Sequence, residues 1–153
     1  MRVVVPASIA LGLAWNLIAR FLMGARHPAD LFEISGMLAG ALAGMAAGAH
    51  TLRTRDRAGA GRRFLDGLAT YYLGMVVYWI GFVLIERVRL CVEHGGWTDL
   101  GLREHLRLIV SFGLYGTLWY GIALIPLALL SRALLIRLHD WSESRAAGSK
   151  PAA

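Results

Sequence analysis

Polar side chains recur every four residues within the first long apolar segment of the chain. Ser8, Asn16 and Arg20, with Gly12 between them, fall on one face of a helix. Polar groups within such a segment are costly unless another polar group or water meets them, and they often line pathways for polar solutes. Asn16 therefore predicts either a hydrogen bond to a neighbouring helix or part of a polar pathway, and the sequence leaves both open.

Arg20 lies at the end of this segment and has two candidate partners. Glu33 and Glu86 each lie next to the corresponding end of another apolar segment. We therefore expect Arg20 either to form an ion pair with one of these carboxylates or to extend its guanidinium group into the polar boundary.

The sequence contains no motif of a hydrolase, a metalloprotease or a nucleotide-binding protein. It has no GxSxG, no HExxH and no glycine-rich phosphate loop. Cys91 is the only cysteine, which excludes an intramolecular disulfide and a paired-cysteine metal site. The five histidines lie at the ends of the apolar segments, and their spacing marks no haem or metal ligands. We therefore expect no enzymatic activity, no cofactor and no bound metal.

Four apolar segments must position these residues. The hydrophobic fraction is 57%, above the roughly 45–50% of soluble domains. A bilayer requires about 20 mostly apolar residues per helix, and segments near that length cover residues 3–23, 32–49, 64–85 and 108–130, separated by short charged connections. They lack the alternation typical of strands. The sequence predicts an all-α integral membrane protein with four transmembrane helices in an antiparallel bundle, formed by residues 1–141.

The distribution of arginine predicts the orientation. Residues 50–63 contain five arginines and one aspartate, and an excess of Arg and Lys is typical of cytoplasmic loops. With four spans, both termini then face the cytoplasm, as expected for a multi-pass protein of the inner membrane. Residues 131–141 predict an interfacial extension of the last helix, and residues 142–153 predict a disordered cytoplasmic tail. The apolar run after Arg2 is longer than that of a secretory signal, so we expect it to remain as a span.

The arginines of the inner connection have two interpretations. They can serve only to orient the chain, or they can bind the headgroups of anionic lipids. Nucleic-acid binding is not expected, because the arginines flank apolar segments and do not form a polar face. The headgroup candidates are Arg53, Arg55, Arg57, Arg62 and Arg63.

Small residues form regular patterns on three of the four segments. Glycines four apart on the second segment leave one helix face without side chains, which favours close contact with another helix. The partner can be a helix of the same chain or the same helix of a second subunit. The residues predicted to pack helices are Gly36, Gly40, Gly44, Gly48, Gly67, Gly74, Gly81, Gly113, Thr117 and Gly121.

These patterns lead to two functional hypotheses. Smooth faces on three segments exceed what a small bundle needs, so we expect a homo-oligomer or a subunit among other membrane proteins. The first hypothesis is a non-enzymatic, oligomeric channel or transport component. Its alternative is an accessory or assembly subunit of a larger membrane complex.

The size and the four-span plan look like those of fluoride channels and small multidrug transporters. The first span lacks the membrane glutamate expected of the transporters, and we do not place the asparagine and phenylalanine motifs of the channels on this chain. The resemblance is architectural, and it assigns no role to any residue.

Overall fold

The computed structural model describes residues 3–22, 33–56, 59–94 and 102–148. Nearly all of these residues are helical, and none of them forms a strand. The helices are α1 (Val4–Leu22), α2 (Ile34–Arg53), α3 (Ala60–His94) and α4 (Leu102–Gly148). The predicted all-α class is confirmed.

Helix α3 is longer than the predicted third span. It begins after Gly59, whose φ of 97° favours glycine, and it contains 35 residues. At a rise of about 1.5 Å per residue it is roughly 50 Å long, against a bilayer core of about 30 Å. Beyond residue 85 the helix is stabilised by Arg89, which pairs with Glu86 at 2.8 Å and with Glu93 at 3.3 Å. Residues 86–94, expected in a connection, are therefore helical.

Helix α4 likewise continues through the predicted interfacial extension and beyond it. The guanidinium carbon of Arg145 lies 4.1 Å from the ring centroid of Trp141, and the Ser142 hydroxyl donates a 2.7 Å hydrogen bond to the His139 carbonyl. Residues 142–148, for which the sequence predicts disorder, form the last turns of α4.

The helices pack side by side with alternating direction. Gly12 of α1 meets Gly44 of α2, and Ser8 meets Gly48, so the two helices run antiparallel. A short turn at Thr54 leads from α2 towards α3. Helix α4 packs mainly against α3 and also touches α1 and α2.

Large apolar side chains are exposed and several polar side chains are buried. Leu38, Val76 and Leu118 are exposed by 50%, 45% and 77%. Single exposed apolar residues are ordinary, but here they accompany nine buried polar residues among those described. The buried polar residues are Ser8, Asn16, Ser35, Thr51, Thr54, Asp66, Thr70, Arg132 and His139.

Two helical stretches within the described residues are long and apolar enough to cross a bilayer. They are Val4–Phe21 in α1 and Ala60–Glu93 in α3. Crossing by all four helices stays a prediction.

Candidate functional site

The polar stripe of α1 lies directly on the glycine face of α2. A Cβ added to Gly12 would lie 2.8 Å from the Gly44 Cα, and one added to Gly40 would lie 2.8 Å from the Gly12 carbonyl oxygen. Gly48 leaves room for the Ser8 side chain in the same way. Backbones approach this closely only where side chains are absent. The two sequence patterns therefore form one interface within the chain.

Asn16 links three helices near the middle of this interface. The Tyr78 hydroxyl of α3 donates a 2.8 Å hydrogen bond to Asn16 Oδ1, and Asn16 Nδ2 lies 3.4 Å from the Met37 sulfur of α2. Only 2% of Asn16 is exposed. Helices of the same chain therefore meet both polar atoms of its amide.

At one end of the stripe, Arg20 pairs with Glu33, one of its two predicted partners. The Arg20 guanidinium carbon also lies 5.9 Å from the centroid of the Phe82 ring. Glu86, the other predicted partner, lies against Arg89. We call Arg20 and Glu33 the outer pair.

At the opposite end of the bundle, α2, α3 and α4 enclose a second polar group, which we call the inner cluster. Arg132 Nη2 donates to the carbonyl and hydroxyl oxygens of Thr54 at 3.2 and 3.1 Å and lies 4.0 Å from Asp66 Oδ2. Thr70 donates a 2.7 Å hydrogen bond to the Asp66 carbonyl, and its hydroxyl lies 2.9 Å from His50 Nδ1. The Asp66 carboxylate offsets the charge of Arg132, which is only 6% exposed.

Sequence reasoning missed the inner cluster as a site. Arg132 follows the predicted fourth span by two residues, a position that indicates orientation and gives no sign of a site. Its distance in sequence from Thr54 and Asp66 gives no signal of contact. The one usable signal is local, since Thr70 follows Asp66 by one helical turn.

A cavity of about 170 Å³ lies between the four helices, with the inner cluster at one end. Apolar cavities of about 150 Å³ bind molecules of the size of benzene. The apolar wall includes Leu11, Trp15, Tyr71, Met75, Trp79 and Leu124. The polar groups that reach the cavity are those of Ser8, Asn16, Thr51, Thr70, Ser131 and Arg132.

The hydroxyl groups of Ser131 and Thr51 differ in their hydrogen bonding. The Trp15 indole donates a 3.1 Å hydrogen bond to Ser131 Oγ, joining α1 to α4 across the cavity. Thr51 is fully buried, and its hydroxyl has no hydrogen-bond partner among the described residues. The cavity is therefore mostly apolar, with Thr51 among its few polar lining residues.

The remaining glycines divide between tight and ordinary contacts. A Cβ on Gly67 would clash with the Leu129 side chain of α4. On Gly74 and Gly81 it would make ordinary contacts of 3.5 Å or more with α2. Gly121 is buried in α4. Gly113 and Thr117 also lie in α4, but outside the residues whose surroundings the structure describes.

The described arginines of the inner connection differ in their surroundings. Arg55 pairs with Asp56 at 3.3 Å and with Glu143 at 3.5 Å. Arg57 lies outside the described residues. The other three headgroup candidates are exposed: Arg53, Arg62 and Arg63.

Within the described ranges, no three side chains of His, Cys, Asp or Glu lie close enough to hold a metal ion. Comparisons with known protein families, with curated proteins and with solved structures found no match to this chain.

Proposed function

We propose that the chain is a non-enzymatic transport-type protein of the cytoplasmic membrane that holds a small, largely apolar solute between its helices. In this proposal all four helices cross the bilayer, and both termini face the cytoplasm. The observation that carries the proposal is the central cavity, which all four helices line and which lies between polar groups at both ends of the bundle.

The membrane location is supported by the exposed apolar side chains and by the partners of the buried polar ones. Exposed apolar residues such as Leu38 and Leu118 gain favourable contacts with lipid, and buried polar residues such as Asn16 find partners inside the bundle. The lengths of α3 and α4 also allow each to cross the hydrocarbon core and extend beyond it.

The structure changes the argument for an oligomer. The glycine face of α2 is occupied by α1, and Gly74 and Gly81 of α3 face α2. The part of the predicted packing surface that lies on α2 and α3 is thus used inside one chain. We therefore propose that a single chain is sufficient to form the cavity.

The exterior of α4 favours a second candidate, an accessory subunit of a membrane complex. Val110, Leu114 and Leu118 follow one another at intervals of four residues and are exposed by 58%, 61% and 77%. Such a stripe can contact another membrane protein as well as lipid. Stoichiometric co-purification with a different membrane protein would favour this candidate.

The cavity can be tested with one pair of matched variants. Ala47 lines the cavity, whereas Ala49 lies on the same helix and is exposed. We expect purified protein in nanodiscs to bind a one-ring apolar probe such as fluorobenzene, followed through its ¹⁹F NMR signal. Ala47→Leu should weaken this binding at least about fivefold by filling the volume, and Ala49→Leu should leave it unchanged.

The same variants should be assayed for uptake into proteoliposomes of a one-ring organic cation such as phenyltrimethylammonium, whose charge keeps it from crossing the bilayer unaided. The proposal predicts uptake that Ala47→Leu reduces and Ala49→Leu does not. Absence of both binding and uptake, or an equal effect of the two variants, would contradict a transport role for the cavity.

A further inference from the structure

A groove outside the central cavity combines arginines with an apolar floor. It lies between the start of α3 and the second half of α4 and has a volume of about 440 Å³. Its arginines are Arg63, Arg132 and Arg137, and its apolar walls include Phe64, Leu129 and Ile136.

The charges in this groove are unbalanced. Arg63 and Arg137 are exposed, whereas Arg132 is 6% exposed. Within the described residues, Asp66 is the one carboxylate that lies against an arginine of the groove, at 4.0 Å from Arg132. Three guanidinium groups and one carboxylate leave an excess of positive charge, which favours an anion.

Arg132 supplies a second and independent observation. Its Nη2 is engaged by Thr54, but its Nε is buried and has no hydrogen-bond partner among the described residues. A buried donor of this kind is costly when it remains unpaired. An oxygen of a bound anion would satisfy it.

The predicted depth of the groove in the bilayer is suitable for a lipid headgroup. Arg132 follows the predicted fourth span, residues 108–130, by two positions, and Arg63 precedes the predicted third span, residues 64–85, by one. Both arginines therefore belong at the inner headgroup level, and Phe64 and Leu129 extend towards the hydrocarbon core. This order of charge and apolar surface matches an amphiphile standing in the inner leaflet.

We propose that this groove binds one phospholipid with an anionic headgroup. The phosphate lies between Arg63, Arg137 and the free Nε of Arg132, and an acyl chain follows Phe64, Leu129 and Ile136. The inference requires insertion into a membrane but does not depend on the central cavity. Loss of lipid binding and loss of cavity binding are therefore separate results.

The test compares two double variants that remove the same charge from the same end of the protein. Arg63→Gln with Arg137→Gln changes the groove, whereas Arg53→Gln with Arg62→Gln changes exposed arginines outside it. Arg132 is left intact because its substitution can disturb folding. Native mass spectrometry should measure retention of phosphatidylglycerol and phosphatidylcholine by the detergent-purified protein, with circular dichroism as a control for helix content.

We expect the wild type and the Arg53/Arg62 variant to retain one phosphatidylglycerol in preference to phosphatidylcholine. The Arg63/Arg137 variant should bind it about thirtyfold more weakly, because two arginines that each contribute on the order of 1 kcal/mol are removed. Inorganic phosphate at millimolar concentration should not displace the lipid. Equal losses in the two variants, no preference for the anionic lipid, or displacement by inorganic phosphate would overturn the proposal.

Discussion

The interface between α1 and α2 and the region where α3 and α4 complete the bundle use different kinds of residue. Between α1 and α2, Gly12, Gly40 and Gly44 bring the two backbones into contact. On the other side, Tyr71, Met75 and Trp79 surround a cavity. Small residues thus bring α1 and α2 together, and large side chains of α3 surround the cavity.

This difference separates packing from binding. A contact between two backbones tolerates no added atom. On the other side, the large side chains leave a space between the helices unfilled. This space is the cavity, and polar groups also line it. Variants on the two sides should therefore differ in what they change, namely stability on the first side and ligand binding on the second.

Gly44→Ala should have the largest effect on stability. Its Cβ would clash with the Ser8 carbonyl oxygen and lie 3.0 Å from the Gly12 Cα, and neither backbone atom can move without separating the helices. We expect a loss of about 3 kcal/mol in the free energy of unfolding, at the upper end for overpacking. The free energy of unfolding is measured by titration with SDS in mixed micelles, followed by circular dichroism. A loss below about 1 kcal/mol would mean that the backbones are not in contact.

Tyr78→Phe should have an intermediate effect. It removes the hydroxyl that donates to Asn16 Oδ1 at 2.8 Å and leaves that oxygen without this bond. Hydrogen bonds between membrane helices contribute about 0.6 kcal/mol on average and at most about 2, so we expect a loss of about 1 kcal/mol in the same titration. The double variant with Asn16→Leu should lose less than the sum of the two single variants. Additive losses would show that the two side chains do not interact.

Gly74→Ala should have the smallest effect and serves as the matched control for Gly44→Ala. Its Cβ would lie 3.7 Å from that of Ala47, which is an ordinary contact. Because alanine also favours the helix, we expect a change within about 1 kcal/mol and towards greater stability. A loss as large as that of Gly44→Ala would remove the distinction between the two sides of the bundle.

Much of the α1 and α2 interface could be predicted from the sequence. The interval of four residues identifies one face on each helix, with Asn16 on one and Gly40 on the other. The pairing of those faces could not be predicted, because a smooth face accepts a helix of either the same chain or another. In the structure, the glycine face of α2 packs against α1 of the same chain.

The inner cluster and the helix lengths could not be predicted for physical reasons. The cluster joins Thr54, Asp66 and Arg132 through tertiary contacts that no local pattern encodes. Helix α3 passes the predicted boundary because charged residues such as Arg89 end a membrane span without ending a helix. Hydropathy reports where lipid ends, whereas ion pairs along the helix stabilise it beyond that point.

The central claim is that the bundle spans a membrane with a polar interior. It is tested most directly by measuring whether lipid or water surrounds its outward-facing residues. Nitroxide labels would be placed singly at Leu38, Val76 and Leu118 in a Cys91→Ser background, with the exposed Ser144 as the reference for water. In nanodiscs, we predict that collisions with oxygen exceed those with a water-soluble nickel chelate at all three positions, and that the reverse holds at Ser144. A lipid-facing exterior would be contradicted if the nickel chelate reached the labels at Leu38, Val76 and Leu118 as readily as the label at Ser144.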